Sequence, residues 1–317
     1  MVNAAAIAGS NDAAVPIARL RTRAKRTAQV VIHTATVWLA ARLILPWLDR
    51  SRREAVVARW ARRTLRIFNV RVAVRGSRAR SGVPVMMVAN HISWLDMYVM
   101  NALCVSRFVA KSEVASTPVF GTIARQLGAI FIRRGSLRDA HRVKGDAAAA
   151  LRGGDAVGLF PEGTTSDGTR LRFFYPALFQ AAIEAGATVQ PIAIRYYHDD
   201  GRPSLAPAYT DEVTLVQSIR AVLREPALRA EITFCEPILS HIPRRELAER
   251  ARQRIAEALD VWVLPPRPRH TPVTWSPPHE KRRFARPIFS AAAKRLRLAA
   301  PSQASLTSNL HSSDTAA

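Results

Sequence analysis

The chain has 317 residues, with 47 Lys and Arg against 24 Asp and Glu, a formal net charge of +23. A hydrophobic share of 48% excludes a disordered polyelectrolyte, and 14 glycines without a repeat exclude a fibrous protein. Cys104 and Cys235 are too few for a disulfide framework or a zinc site, so a reducing compartment is the default, and the charge calls for a polyanion, nucleic acid or anionic membrane.

The charge is unevenly placed. Residues 1–69 hold 13 basic and 3 acidic residues, residues 265–317 hold 9 and 2, and the span between carries only +6. This divides the chain into a basic segment at 1–69 that meets the polyanion, a separate domain at 70–264 and a basic, Pro-rich, largely disordered tail at 265–317.

In the first segment a basic cluster (Arg19, Arg21, Arg23, Lys25, Arg26) precedes an apolar stretch from Ala28 to Leu48, which contains Trp38 and Trp47 and is broken by Arg42 and Pro46. A second cluster follows, from Arg50 through Arg66. About twenty residues just cross a bilayer. Basic groups on both sides oppose a crossing, and Arg42 at the bilayer centre would add roughly 2–3 kcal/mol. The expectation is a helix or helix pair lying in the membrane interface, tryptophans at headgroup depth. A buried soluble helix and a single span are the alternatives.

From residue 70 the pattern changes. Alternation over Val70–Arg75 predicts a strand with one exposed face, and the apolar run Val83–Ala89 a strand buried on both. Further strands are expected at Arg107–Lys111, Ala129–Arg133, Asp155–Phe160, Thr188–Tyr196 and Ala230–Phe234. Helical spacing lies between them at Leu95–Leu103, Pro118–Leu127, Leu137–Leu151, Ala177–Glu184 and Pro243–Val261. Alternating strands and helices predict an α/β fold, a mixed, mostly parallel sheet flanked by helices, preceded by the N-terminal membrane-associated helical segment. In the tail, Lys281–Leu298 mixes arginines with Phe284, Ile288 and Phe289; a second interfacial segment and a solvated tail are both open.

Four motifs can carry chemistry. His91 and Asp96 follow the doubly buried strand, where α/β folds place ligands. A base in the loop with a carboxylate in the next helical turn lets the carboxylate hold Nδ1–H and stabilise an imidazolium. No GxSxG elbow accompanies them, so the histidine would activate a substrate hydroxyl. Phe160-Pro161-Glu162-Gly163-Thr164-Thr165-Ser166-Asp167-Gly168 follows another apolar strand; Gly163 permits close backbone approach, and Glu162 and the hydroxyls can bind a polar head. Gly128 and Phe131–Arg134 end a strand in paired arginines that suit a phosphate. Val189–Ile194 is core with a proline at 191, to which no chemistry is ascribed.

In this order, over roughly residues 60–240, the motifs resemble the glycerolipid acyltransferase superfamily, particularly the bacterial 1-acyl-sn-glycerol-3-phosphate acyltransferases. His91 and Asp96 match its NHxxxxD block, Gly128 and Phe131–Arg134 its phosphate-binding block, Phe160–Thr164 its FPEGT block and Pro191 its last. The resemblance implies that His91 is the general base toward a lysolipid hydroxyl and that Asp96 holds the imidazole. It implies that Arg134, helped by Arg133, binds a phosphate, and that Glu162, Gly163 and Thr164 shape the acceptor site. No cofactor or metal is implied; acyl-CoA or acyl-carrier protein is the donor substrate. The partners implied are that donor, the lysolipid and an anionic membrane surface, at the cytoplasmic face of a bacterial inner membrane.

Lysophosphatidate is the first expectation for the acceptor. Members selective for it usually read FPEGTRS and later Pro-Phe-Lys; here Thr165 and Phe173-Phe174-Tyr175 stand instead, so two cations are missing. FPEGTTSDG resembles the variant of lyso-ornithine-lipid acyltransferases, whose acceptor carries no phosphate. Arg133-Arg134 and Arg170-Arg172 could still supply the charge. A nucleic-acid-binding protein would explain the basic flanks but not their tryptophans, and no helix-turn-helix, zinc or RNP-like signature is present.

Overall fold

The computed structural model describes residues 14–79, 82–133, 135–210 and 213–263. The expectations for Arg134 and for the tail at 265–317 lie outside the described residues.

The chain begins with two helices, α1 (Ala14–Leu43) and α2 (Arg50–Ile67), joined through a 3-10 turn at Leu45–Trp47. Asp49 caps α2 by accepting from the Arg52 N–H at 2.9 Å. Then come β1 (Val70–Gly76), β2 (Val85–Ala89), α3 (Leu95–Leu103), β3 (Ser106–Lys111), α4 (Ser112–Ala115), α5 (Phe120–Gln126) and β4 (Ile130–Ile132). The second half holds α6 (Leu137–Arg152), β5 (Ala156–Leu159), β6 (Arg170–Leu171), α7 (Phe179–Ala185), β7 (Thr188–His198), α8 (Leu215–Arg224), β8 (Leu228–Phe234), α9 (Arg244–Leu259) and β9 (Trp262–Val263).

Seven strands form one sheet in the order β1-β8-β7-β2-β5-β3-β4, and among the described residues only the β7–β8 pair runs antiparallel. The expected mixed, mostly parallel sheet is therefore present. The apolar run in β2 sits at its centre because both faces are covered. Met86 and Val88 join the core beneath α6, α7 and α9, with Leu151, Phe179 and Leu247. Met87 and Ala89 point the other way, to Leu65 of α2, Leu95 and Val99 of α3 and Val222 of α8. Burying each such side chain contributes about 1.5–3 kcal/mol. The strands β6 and β9, and the helices α4 and α8, go beyond the elements expected from sequence; β6 and β9 are two residues each, too short for a periodic signal.

The basic N-terminal helices are packed onto this body on one side only. The His33 ring nitrogen Nε2 lies 3.1 Å from the Thr64 hydroxyl, and Arg26 donates to the Glu225 and Pro226 carbonyls, both at 3.0 Å. Ala41 and Leu45 are buried, whereas Val31, Ile32, Leu39, Leu43, Ile44 and Trp47 are exposed, Trp47 by 86%. Trp38 is half-buried. Among the described residues no helix is long and apolar enough to cross a membrane, so the single span has no helix to carry it.

Candidate active site

The parallel core of the sheet gathers the motifs. Because β2, β5, β3 and β4 run the same way, the residues that follow them, His91, Phe160–Glu162, Ser112 and Arg133, all emerge at one carboxyl edge. That is where the switch between successive strands leaves room for a ligand.

Asp96 occupies the first turn of α3, where a carboxylate meets unsatisfied N–H groups and the positive end of the helix dipole. Its Oδ2 accepts from the Ile92 and Ser93 N–H groups at 2.8 and 2.9 Å and lies 2.9 Å from His91 Nδ1. Asp96 is fully buried, and the His91 side chain is 18% exposed. With Nδ1 held by the carboxylate, Nε2 is left to face a substrate. The imidazole is stacked on Phe160, centroids 3.9 Å apart and planes within 12°. Phe160 is stacked on Phe108 at 5.6 Å, and Phe108 fits because Gly158 has no side chain: a Cβ there would stand 2.4 Å from its ring.

Glu162 holds the loop from inside. It is 4% exposed; Oε1 accepts the His91 N–H at 2.8 Å and Oε2 the Arg172 N–H at 3.1 Å. Burial pushes its carboxyl up to about 7 against the opposing pull of those two N–H groups and the Arg172 charge. The expected acceptor-shaping residue is thus turned into the protein, with both oxygens engaged by backbone. Gly163 adopts φ +72°, the left-handed region that favours glycine, which closes the turn back through its N–H to the Phe160 carbonyl at 3.1 Å. Thr164 is half-buried in the same turn.

The rest of the FPEGTTSDG segment clamps the histidine loop. Ser166 donates its N–H to the His91 carbonyl at 2.8 Å, and Tyr209 donates to the Ile92 carbonyl at 2.9 Å. The Thr165 hydroxyl donates to the Tyr209 carbonyl, which ties the two clamps together. The arginines are arranged more loosely. Arg133 is largely exposed, 3.6 Å from Asp139, whose carboxylate also accepts the Arg133 N–H. It follows β4, three strand positions from β2, roughly 14 Å at about 4.8 Å per step. Gly128, from the same motif, lies at the opposite end of β4, where its φ of +73° makes a turn beside Arg107. A surface depression of about 710 Å³ there, lined by Arg107, Gly128, Arg142 and Asp155, does not include His91. Arg172 and Arg170 are exposed, and Arg172 is linked to His91 through Glu162.

One residue of the site belongs to the strand to which sequence ascribed no chemistry. The Tyr196 hydroxyl donates to Asp96 Oδ1 at 2.7 Å, and both residues are buried. In β7, Ile192, Ile194 and Tyr196 alternate onto one face, and Asn90 extends the pairing past the end of β2 by bonding both backbone groups of Ile194, at 2.8 and 3.0 Å. That brings Tyr196 level with the His91 loop. A polar residue in phase with a buried apolar face is the sequence signal that could have found it.

The profile of the Acyltransferase family matches residues 71–195. The lyso-ornithine lipid O-acyltransferase of Rhizobium meliloti is 34% identical over 244 residues, 73% of this chain and 83% of that protein. The 1-acyl-sn-glycerol-3-phosphate acyltransferase of Neisseria gonorrhoeae is 35% identical over 190 residues, 60% of this chain and 74% of that one. In fold, the chain is similar to the crystal structure of the 1-acyl-sn-glycerophosphate acyltransferase of Thermotoga maritima, with a TM-score of 0.57 and 19% identity over 77% of this chain and 96% of that one. The chain belongs to the acyltransferase family and acts as an acyltransferase on lysolipids.

Proposed function

We propose that this enzyme acylates lyso-ornithine lipid at a membrane surface, with His91 as general base and acyl-CoA or acyl-carrier protein as donor. His91 Nε2 takes the proton of the acceptor hydroxyl while that oxygen attacks the thioester carbonyl carbon. The tetrahedral intermediate expels the thiolate, which takes the proton from the imidazolium, leaving an ester and a free thiol. Asp96 holds Nδ1–H and offsets the charge on the imidazolium. No cofactor enters the reaction.

The observation that carries the acceptor is Thr165. It stands where the motif usual in lysophosphatidate-selective members of the resembled superfamily has arginine, and its hydroxyl is spent inward on the Tyr209 carbonyl. An ornithine headgroup presents a carboxylate, which a single exposed arginine can match, and Arg172 is linked to the His91 loop. The identity to the Rhizobium enzyme, over most of both chains, supports the same reading. Lysophosphatidate is the second reading, of the 1-acylglycerol-3-phosphate O-acyltransferase type, and rests on the exposed Arg133, Arg170 and Arg172 together.

For the membrane, the support is the outer stripe of α1. Val31, Ile32, Leu39 and Leu43 recur at helical spacing and continue to Trp47, with Arg42 and the arginines of α2 beside them. We place this surface on anionic lipid at the cytoplasmic face, with no role for nucleic acid. The test supplies purified enzyme in anionic liposomes with lyso-ornithine lipid and lysophosphatidate in parallel, each with acyl-CoA and acyl-carrier protein. A kcat/KM at least about tenfold higher for lyso-ornithine lipid is expected, roughly the effect of one well-formed charged contact. A preference for lysophosphatidate overturns the acceptor.

A further inference from the structure

We propose that Tyr196 is a positioning residue of the acyl transfer, one that orients the Asp96 carboxylate and tempers its pull on His91. The carboxylate can rotate about Cβ–Cγ, a soft torsion. Three groups hold Oδ2: His91 Nδ1 and the N–H groups of Ile92 and Ser93. Oδ1 has one partner among the described residues, the Tyr196 hydroxyl at 2.7 Å. Without that donor a fully buried carboxylate oxygen is unsatisfied and the rotation is unfixed. Tyr196 suits the task because it is buried in the apolar cluster on one face of the sheet, on the same face of β7 as Ile192 and Ile194, so its oxygen cannot follow a moving partner. Burial beside the Asp96 charge also pushes its phenol well above the usual range, which keeps it a donor.

The direction of the effect follows from charge. A hydroxyl on Oδ1 draws negative charge away from Oδ2, and so weakens the hold of the carboxylate on the Nδ1 proton. Removing the hydroxyl concentrates charge on Oδ2 and makes the protonated imidazole harder to discharge. The groups that face the dyad are Tyr196 from β7 and Glu162 from the loop after β5, with Arg172 behind Glu162. Glu162 titrates in the same range as a histidine, so each pH profile is recorded in the wild-type and in the Glu162→Gln background.

The test compares Tyr196→Phe with enzyme carrying 3-fluorotyrosine at position 196, a stronger donor of nearly the same shape. For Tyr196→Phe, kcat falls roughly tenfold with both KM values within about twofold, and the acid limb of the pH–rate profile moves up by about half a pH unit or more. The fluorotyrosine enzyme moves that limb the opposite way. A packing role alone predicts loss of folded protein with no movement of the limb. The proposal is overturned if the profiles of both variants superimpose on the wild type, or if kcat falls only in step with the folded fraction. Should Tyr196→Phe fail to fold, the fluorotyrosine profile decides alone. The proposal rests on His91 as the base, and His91→Ala in the same assay separates the two failures. An active His91→Ala removes both ideas, whereas an inactive one with unmoved Tyr196 profiles removes only this one.

Discussion

Asp96 is fully buried and accepts four hydrogen bonds, from His91, Ile92, Ser93 and Tyr196, while Trp47, at the turn between α1 and α2, is 86% exposed. The first region is over-determined: both oxygens of Asp96 and of Glu162 have named partners, and the groups come from the loop between β2 and α3, from β7 and from the loop after β5. The second is built from a stripe of aliphatic side chains with arginines beside it, in which no single contact fixes the geometry. The difference fits the physics of the task proposed for each. Proton transfer requires distances held to tenths of an ångström, whereas adhesion to a fluid, charged surface needs only area and sign. Substitutions should therefore act sharply in the first region and by small increments in the second.

The largest effect is expected for His91→Ala. General-base catalysis of this kind supplies on the order of 10²–10⁴-fold, so kcat should fall by that factor while the far-ultraviolet spectrum and liposome binding stay as in the wild type. Appreciable turnover by this variant would falsify the role of His91.

Next is Glu162→Gln. Its native carboxyl titrates at about 7, above the 4.5 of an exposed glutamate, so folding favours the protonated form. Stability from this group is full below pH 4.5 and is lost as pH rises through about 7, a change of roughly 3 kcal/mol. The ionised form is the one that accepts both N–H groups, so the activity of the wild type should rise through the same window. In Glu162→Gln the brace is half lost, kcat falls about tenfold, the stability titration disappears, and the rate profile keeps only the acid limb of the general base. Urea melts from pH 4.5 to 8 check the stability change; a surviving stability step near 7 in the variant assigns it to another group.

Arg172→Ala sharpens the comparison from the substrate side. Its backbone braces Glu162, but its side chain is exposed, so removal should raise the KM for the acceptor severalfold to tenfold with kcat nearly unchanged. A kcat defect with normal KM would place it among the loop supports instead. The smallest effects belong to α1. Leu39→Glu or Trp47→Glu should weaken sedimentation with anionic liposomes about threefold to tenfold, with activity on detergent-dispersed substrate retained. Binding of the wild type should also fall as salt is raised. Undiminished binding of the Leu39→Glu, Trp47→Glu double variant would move the adhesive surface off α1.

Much of this was legible along the chain. The strands read from apolar runs lie within a few residues of their places, with β1 expected at Val70–Arg75 and found at Val70–Gly76. Asp96 could be paired with His91 because it follows five positions later, across a loop and into the first helical turn, and local geometry decides whether they meet. The apolar stretch that ends α1 and the basic clusters on either side of it were likewise visible along the chain. Glu162 was singled out, but its burial was not, because the same carboxylate in an exposed turn has the same neighbours in sequence.

What the sequence by itself determined was the order of elements, which follows from periodicities of 2 and 3.6 residues, the segregation of charge toward the ends, which follows from composition, and the motif blocks, which rest on a resemblance to a known superfamily. Tertiary structure alone decided the rest. Tyr196 meets Asp96 across 100 residues, and Arg172 is joined to His91 through Glu162. The first depends on the register of β7 against β2, the second on the pairing of β2 with β5. No local pattern encodes these, because they arise from the burial of two opposite faces of a sheet whose neighbours are distant in sequence.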